Sequence, residues 1–180
     1  LTKVNAEGIN VADDFAFTGT ITGATPITHV DQWRLTTNFS GTAEPIASNL
    51  ERVDTGAQGT IGSAMTVSSG IFTFPVTGIW LVTARVGLSR AGDSRYQTLY
   101  IQATVNNSDY TTIAQNNSNI NQSESGRTYI SNHNSSTMDV SNVTNVKVRF
   151  SVTPSQSDVL THGDSTNNDT SFTFIRLGDT

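Results

Sequence analysis

The stretch "GIFTFPVTGIWLVTARVGLS" runs from Gly70 to Ser89. Its apolar residues fall at every second position: Phe72, Phe74 and Val76, then Trp80, Val82, Ala84, Val86 and Leu88. A period of two is the period of a β-strand, whose successive side chains point to opposite faces. The two runs are separated by Pro-Val-Thr-Gly. Pro75 presets φ for a turn, and Gly78 supplies a positive φ where the chain reverses. The stretch therefore predicts a hairpin with Phe72, Phe74 and Trp80 on its dry face.

The same period recurs from His29 onward. Trp33, Leu35 and Phe39 share one parity. Leu99, Ile101, Ala103 and Val105 alternate with Tyr100, Gln102 and Thr104, and Val146, Val148, Phe150 and Val152 alternate with Lys147, Arg149 and Ser151. Phe172 and Phe174 close the series. No segment carries a capped 3.6-residue pattern, and Gly/Asn/Asp/Ser clusters at 91–94, 106–109, 116–119 and 162–169 punctuate the runs as turns. Strands with one wet and one dry face build antiparallel sandwiches. The pattern predicts an all-β, antiparallel jelly-roll sandwich of roughly eight to ten strands. The Asn-rich segments 115–126 and 131–139 read as solvated loops or edge strands. Residues 1–28, with short alternating pieces and frequent Gly, read as a short N-terminal β-stalk or linker, and 29–180 as the jelly-roll domain.

Composition narrows the function classes. Of the 180 residues only 14% are charged and 35% are hydrophobic, so Ser, Thr, Asn and Gly fill the surface. The formal net charge is −5 and lysine occurs only at Lys3 and Lys147, which argues against a phosphate-backbone partner and so against nucleic acid. There is no cysteine, so disulfides and thiolate metal sites are excluded. No apolar run is long enough to insert in a membrane as a helix, and no signal peptide is evident. The opening at Leu1 reads as a processed product or a fragment.

Catalytic candidates are weak in kind. Gly-Asp-Ser occurs at 92–94 and at 163–165, the second beside His162. Ser165, His162 and Asp164 are residue types of a nucleophilic triad, but adjacent residues rarely converge, no Gly-x-Ser-x-Gly elbow is present, and Gly-Asp-Ser is an ordinary turn. Glu44, Glu51, Glu124, Asp109 and Asp158 are scattered, and no pair is placed for glycoside cleavage. Asp158, Asp164 and Asp169, with Asn167 and Asn168, form an oxygen-rich segment and are the candidate calcium ligands; calcium is the one cofactor considered. For a glycan or protein ligand the candidates are Tyr110, Asn117, Tyr129 and His162, the tyrosines as stacking plates and the Asn-rich segments as hydrogen-bonding groups. Trp33 shares the parity of Leu35 and is assigned to the core.

The Phe-x-Phe-Pro-x-x-Gly-x-Trp-x-Val series from Phe72 to Val82 resembles the Phe…Pro…Gly-x-Tyr-x-Phe signature of the complement-C1q globular head. The hairpin-like "LYIQATVNNSDYTTIAQ" (99–115), "MDVSNVTNVKVRFSV" (138–152) and the closing "TSFTFIRLGD" (170–179) extend the likeness over 29–180. The phrasing of "HVDQWRLTTNFSG", "NLERVD" and "FTFIRLGD" is further similar to C1q-like domains of phage and marine-virus structural proteins, and residues 8–24 resemble the Gly-punctuated repeats upstream in such fibres. What this resemblance to the C1q/tumour-necrosis-factor type implies is a jelly roll that forms a homotrimer.

A physical reason agrees with self-association: Ile79 and Leu81 stand beside Trp80 and Val82, so one strand is apolar on both faces, and the second face wants another subunit. Ile79, Leu81, Tyr100 and Phe174 are the expected trimer contacts. The expected function is non-enzymatic: a virion structural protein, at a fibre tip or head appendage, facing outward. It would join other virion proteins through its N-terminal segment and contact host surface glycan or protein through loops 106–125 and 156–169. A secreted C1q-like lectin is the alternative, and a hydrolase is a third.

Overall fold

The computed structural model describes residues 26–53 and 55–180. The expected stalk, 1–28, lies outside the described residues except for Pro26, Ile27 and Thr28. The described chain is all β, with twelve strands in two antiparallel sheets of seven and five strands.

The first sheet is built on β6 (Gly78–Arg90), a 13-residue strand. Along one side it pairs over its whole length with β9 (Thr128–Val140). Along the other it pairs with β12 (Ser171–Gly178) and then β11 (Leu160–Thr161). β1 (Val30–Leu35) follows β12, and β3 (Leu50–Arg52) follows β1, while β2 (Phe39–Ser40) extends β11. The second sheet runs β4 (Thr66–Ser68), β5 (Ile71–Thr73), β10 (Lys147–Pro154), β7 (Ser94–Thr104) and β8 (Thr111–Ile120). Twelve strands exceed the eight to ten expected. The two shortest, β2 and β11, have two residues each and stay below the length at which alternation can be read.

The inner faces are those the alternation marked. Trp33, Leu35, Phe72, Phe74, Trp80, Val82, Leu99, Ile101, Val148, Phe150, Phe172 and Phe174 are all buried in one cluster. Phe72 is its hub, with four aromatic neighbours at 5.1–5.9 Å between centroids. The reversal between β5 and β6 occurs where Pro75 and Gly78 placed it. Gly78 sits at φ 141°, and a Cβ there would come within 2.5 Å of the Gly178 carbonyl oxygen, so only glycine fits.

Two Asn-rich segments read as loops or edge strands are largely strand. Residues 111–120 form β8 and 128–140 form β9, the edge strands that face one another where the sandwich opens. Asn132 and Asn134 point inward and close that rim by donating from Nδ2 to the β7 carbonyls of Gln97, at 2.8 Å, and Leu99, at 3.2 Å. Their amides supply partners that an apolar side chain cannot, which explains polar residues at inward positions.

Candidate functional site

The outer face of the seven-stranded sheet carries two different surfaces along β6. At the end near the β5–β6 reversal, register sets four apolar residues side by side: Ile61 beside Val30, Val30 beside Ile175, and Ile175 beside Leu81. Ile79 and the half-exposed Leu177 flank this row. Ile79 and Leu81 thus stand on an accessible face, as their parity required. Tyr100 does not join them: it lies on the outer face of the other sheet, opposite Ser151 and Gln115. Phe174 is fully buried in the subunit's own core against Phe72, Phe74 and Phe150, so its side chain offers nothing to a second subunit. It shares the inward parity of Phe172, and the expectation that it was a subunit contact is corrected on that ground.

At the other end of β6 the outer face opens into a depression of about 330 Å³ lined by Arg85, Gly87, Tyr129, Ser131, His162 and Asp169. Two of the four ligand candidates meet here. The Tyr129 and His162 rings stack at 5.4 Å with planes 28° apart. His162 Nε2 lies 2.8 Å from Ser89 Oγ, and its backbone N–H donates to the Gly87 carbonyl at 2.9 Å. Burial pushes the His162 imidazole below its ordinary pKa; Asp169 opposes that shift and Arg127 adds to it. The ring is therefore held neutral at pH 7.

The other two ligand candidates stand elsewhere. Tyr110, on the second sheet's outer face, lies under the Arg149 guanidinium at 4.2 Å from its ring centroid. Burial raises its pKa, with Arg149 opposing. Asn117, on β8, accepts from Thr98 Oγ1 at 2.5 Å and borders a shallow depression of about 380 Å³ with Arg95, Tyr96 and Asn121. Of the loops expected to form one tip, 121–125 and 156–158 share an end, since the Gln122 N–H donates to Asp93 Oδ1 at 2.7 Å, but the 106–109 turn stands apart. The β7–β8 turn joins the β9–β10 turn through Asn107 N–H to the Asn145 carbonyl at 2.9 Å, whereas 156–158 lies with the β6–β7 turn through Arg90 and Asp158 at 2.6 Å. These are opposite ends of the sandwich, because β7 runs the length between them.

The three calcium candidates do not converge, and among the described residues no three acidic or histidine side chains gather as a metal site. Asp158 is ion-paired with Arg90, whose hydrogen bond holds its carboxyl below the usual range. Asp164 Oδ1 accepts from Thr166 Oγ1 and from the N–H groups of Thr166 and Asn167, an Asx-type turn that lowers its pKa to about 2. Asp169 faces the His162 depression. The catalytic candidates separate in the same way: His162 contacts Ser89, not Ser165, while Ser94 pairs with Ser155 at 3.0 Å. Ser89 is itself fully buried, so its hydroxyl cannot meet a substrate.

Sequence reasoning assigned no ligand-binding role to Arg85, Gly87, Ser89 or Ser131. The signal for the first three was present, since Val86 and Leu88 point inward and Arg85, Gly87 and Ser89 therefore do not. Nothing in sequence spacing brings Asp169 or His162 to them.

Two antiparallel sheets, β3-β1-β12-β6-β9 packed over β4-β5-β10-β7-β8, give the chain a C1q/TNF-like jelly-roll fold, the fold of the solved domains it resembles. Among solved structures, the chain is similar to Eiger TNF from S. frugiperda, with a TM-score of 0.61 at 13% identity over 86% of this chain and 96% of that one. Murine APRIL at pH 5.0 superposes with a TM-score of 0.60 at 11% identity, covering 83% of this chain and 98% of that one. No family model matches the sequence, and no curated protein matches it.

Proposed function

We propose that this chain is a non-enzymatic recognition domain that works as a homotrimer. The observation that carries the reading is the apolar row Ile61–Val30–Ile175–Leu81, set across adjacent strands on an outward sheet face. Contiguous apolar surface of this kind is rare on monomers and is covered in assemblies. A second apolar surface lies on the sandwich rim between β7–β8 and β9, where the exposed Val105 and Ile113 border a cleft of about 170 Å³ with Met138 and Val146. Two unlike patches on one subunit suit a head-to-tail interface, which closes into a ring. The C1q-like sequence signature supplies the stoichiometry of three. The placement of the Gly-Asp-Ser candidates supports a role without catalysis, since His162 contacts Ser89 and not Ser165, and Ser94 pairs with Ser155.

The phrasing shared with phage and marine-virus proteins supports a finer reading. The domain stands at a fibre tip or head appendage of a virion, facing outward, with its N-terminal segment joining other virion proteins. Its partner is then a host surface glycan or protein.

Light scattering on the full chain tests the trimer. A species of three times the 19.3 kDa chain mass is expected at about 10 μM, and Leu81→Asp should dissociate it without unfolding. A stable wild-type monomer at that concentration overturns the reading. Mass spectrometry of purified particles tests the virion placement, and absence of the chain from them removes it.

A further inference from the structure

We propose that the depression over Gly87 binds a single neutral sugar ring of a glycan. This deepens the recognition reading by assigning it a site and a ligand class, and it rests on that reading but not on self-association.

The depression is built, not incidental. Gly87 is the position on the outer face of β6 that lacks a side chain between Arg85 and Ser89, and this absence makes the floor. A Cβ at Gly87 would stand 3.2 Å from the Asp169 carbonyl oxygen and 3.6 Å from His162 Cβ. One wall is the Tyr129 ring, 66% exposed, backed by the stacked His162. His162 is fixed in turn through Ser89 and the Gly87 carbonyl. The plate is thus held before any ligand arrives, which lowers the ordering cost of binding. An aromatic ring with one free face offers a surface to the C–H face of a sugar.

The charges select the ligand. Arg85 uses one Nη1 contact, 3.2 Å to the Asn168 carbonyl, and a guanidinium carries five N–H donors. The Asp169 carboxylate accepts no hydrogen bond among the described residues, and it is acceptor-only when ionised. Asp169 disfavours an anion, while Arg85, with Arg127 beside His162, disfavours a cation. Hydroxyls, which both donate and accept, satisfy the two together. A cavity of about 330 Å³ lies at the small end of ligand sites, which fits one ring better than a chain. Leu81 and Gly87 are six residues apart on one strand, about 20 Å, so the sugar site and the apolar row do not overlap.

Ligand-observed and amide-detected NMR on the full chain provides the test. The probes are glucose, galactose, mannose, fucose and N-acetylglucosamine at millimolar concentration, with N-acetylneuraminic acid, inorganic phosphate and spermidine as charged comparators. At least one neutral sugar should bind, shifting the amides of Gly87 and Ser131. Tyr129→Ala and Asp169→Asn should each weaken binding at least about tenfold. Both side chains are free of structural hydrogen bonds among the described residues, so the folds should survive. Tyr96→Ala, at the other depression, should leave binding unchanged. The proposal is overturned if no neutral sugar binds, if only a charged probe binds, or if either Tyr129→Ala or Asp169→Asn binds as the wild type does. Light scattering on the same samples reads self-association separately, so loss of the sugar site and loss of the trimer are told apart.

Discussion

Phe150 of one sheet and Phe172 of the other stack face to face across the sandwich, with centroids 4.1 Å apart and planes 9° apart. Both are at most 1% exposed, and both also meet Phe72. This contact ties β10 to β12 at the centre of the core. Phe172→Ala should cost about 3–5 kcal/mol, the range for deleting a buried aromatic side chain. Phe172→Leu should cost less. Urea titration of both variants measures the difference, and near-equal midpoints would show that the stack is not the main contribution.

Asp31 carries the buried polar contacts at the start of β1. Its carboxylate accepts from Trp33 Nε1 at 3.0 Å, from the Met65 N–H at 2.8 Å and from Arg52 Nε at 3.1 Å, and it is 1% exposed. Asp31→Ala orphans two buried donors and removes the ion pair of Arg52, which keeps its bond to the Met65 carbonyl, and should destabilise by about 3 kcal/mol. Asp31→Asn keeps an acceptor oxygen and should recover part of the loss. Equal effects of the two substitutions would assign the role to packing instead.

Gly78→Ala should destabilise by about 1–3 kcal/mol, because φ is positive there and the new methyl group meets the Gly178 carbonyl. The neighbouring Thr77→Ala is the control, since Thr77 is exposed. A thermal melt that does not separate these two would remove the backbone argument.

Stability should fall on mild acidification. Burial lowers the His29 pKa, with Arg176 adding to the effect, and burial also lowers that of His162. The unfolded chain therefore takes up protons near 6.5 that the folded chain takes up only at lower pH. The histidine contribution is complete above 6.5 and is lost as pH drops through the folded values. Asp158 and Asp164 behave as depressed carboxylates, whose contribution is complete above 3.8; that of Asp164 is lost as pH falls toward about 2, and that of Asp158 as pH falls through its own lowered pKa. The melting temperature at about pH 5.5 should lie below that at about pH 7.5, and a His29→Gln/His162→Gln double variant should show a smaller drop. A flat wild-type profile would count against both assignments.

Chelation should leave the fold as it is. Asp158 and Asp164 are each engaged through Oδ1, by Arg90 and by its own turn, and among the described residues no three acidic or histidine side chains gather to hold calcium. The melting temperature with EDTA should match that with added calcium to within about 1 °C. A rise on adding calcium would show a site that these carboxylates do not explain.

Alternation alone determined much of this protein. Phe72, Phe74, Trp80, Val82, Phe150 and Val152 occupy the core because a strand's side chains alternate, and that rule acts on neighbours in sequence. The turn at Pro75 and Gly78 is legible for the same reason, since φ preferences are local. Parity also put Ile79 and Leu81 on the outer face. What it could not decide is which outward residues of different strands stand together. Tyr100 and Leu81 read alike in sequence, yet they lie on opposite sheets. Asp164 and Asp169 read as one acidic loop, yet one closes its own turn and the other faces Tyr129, His162 and Arg85. Those groupings depend on strand order and register between segments far apart in the chain, and only the tertiary structure sets them.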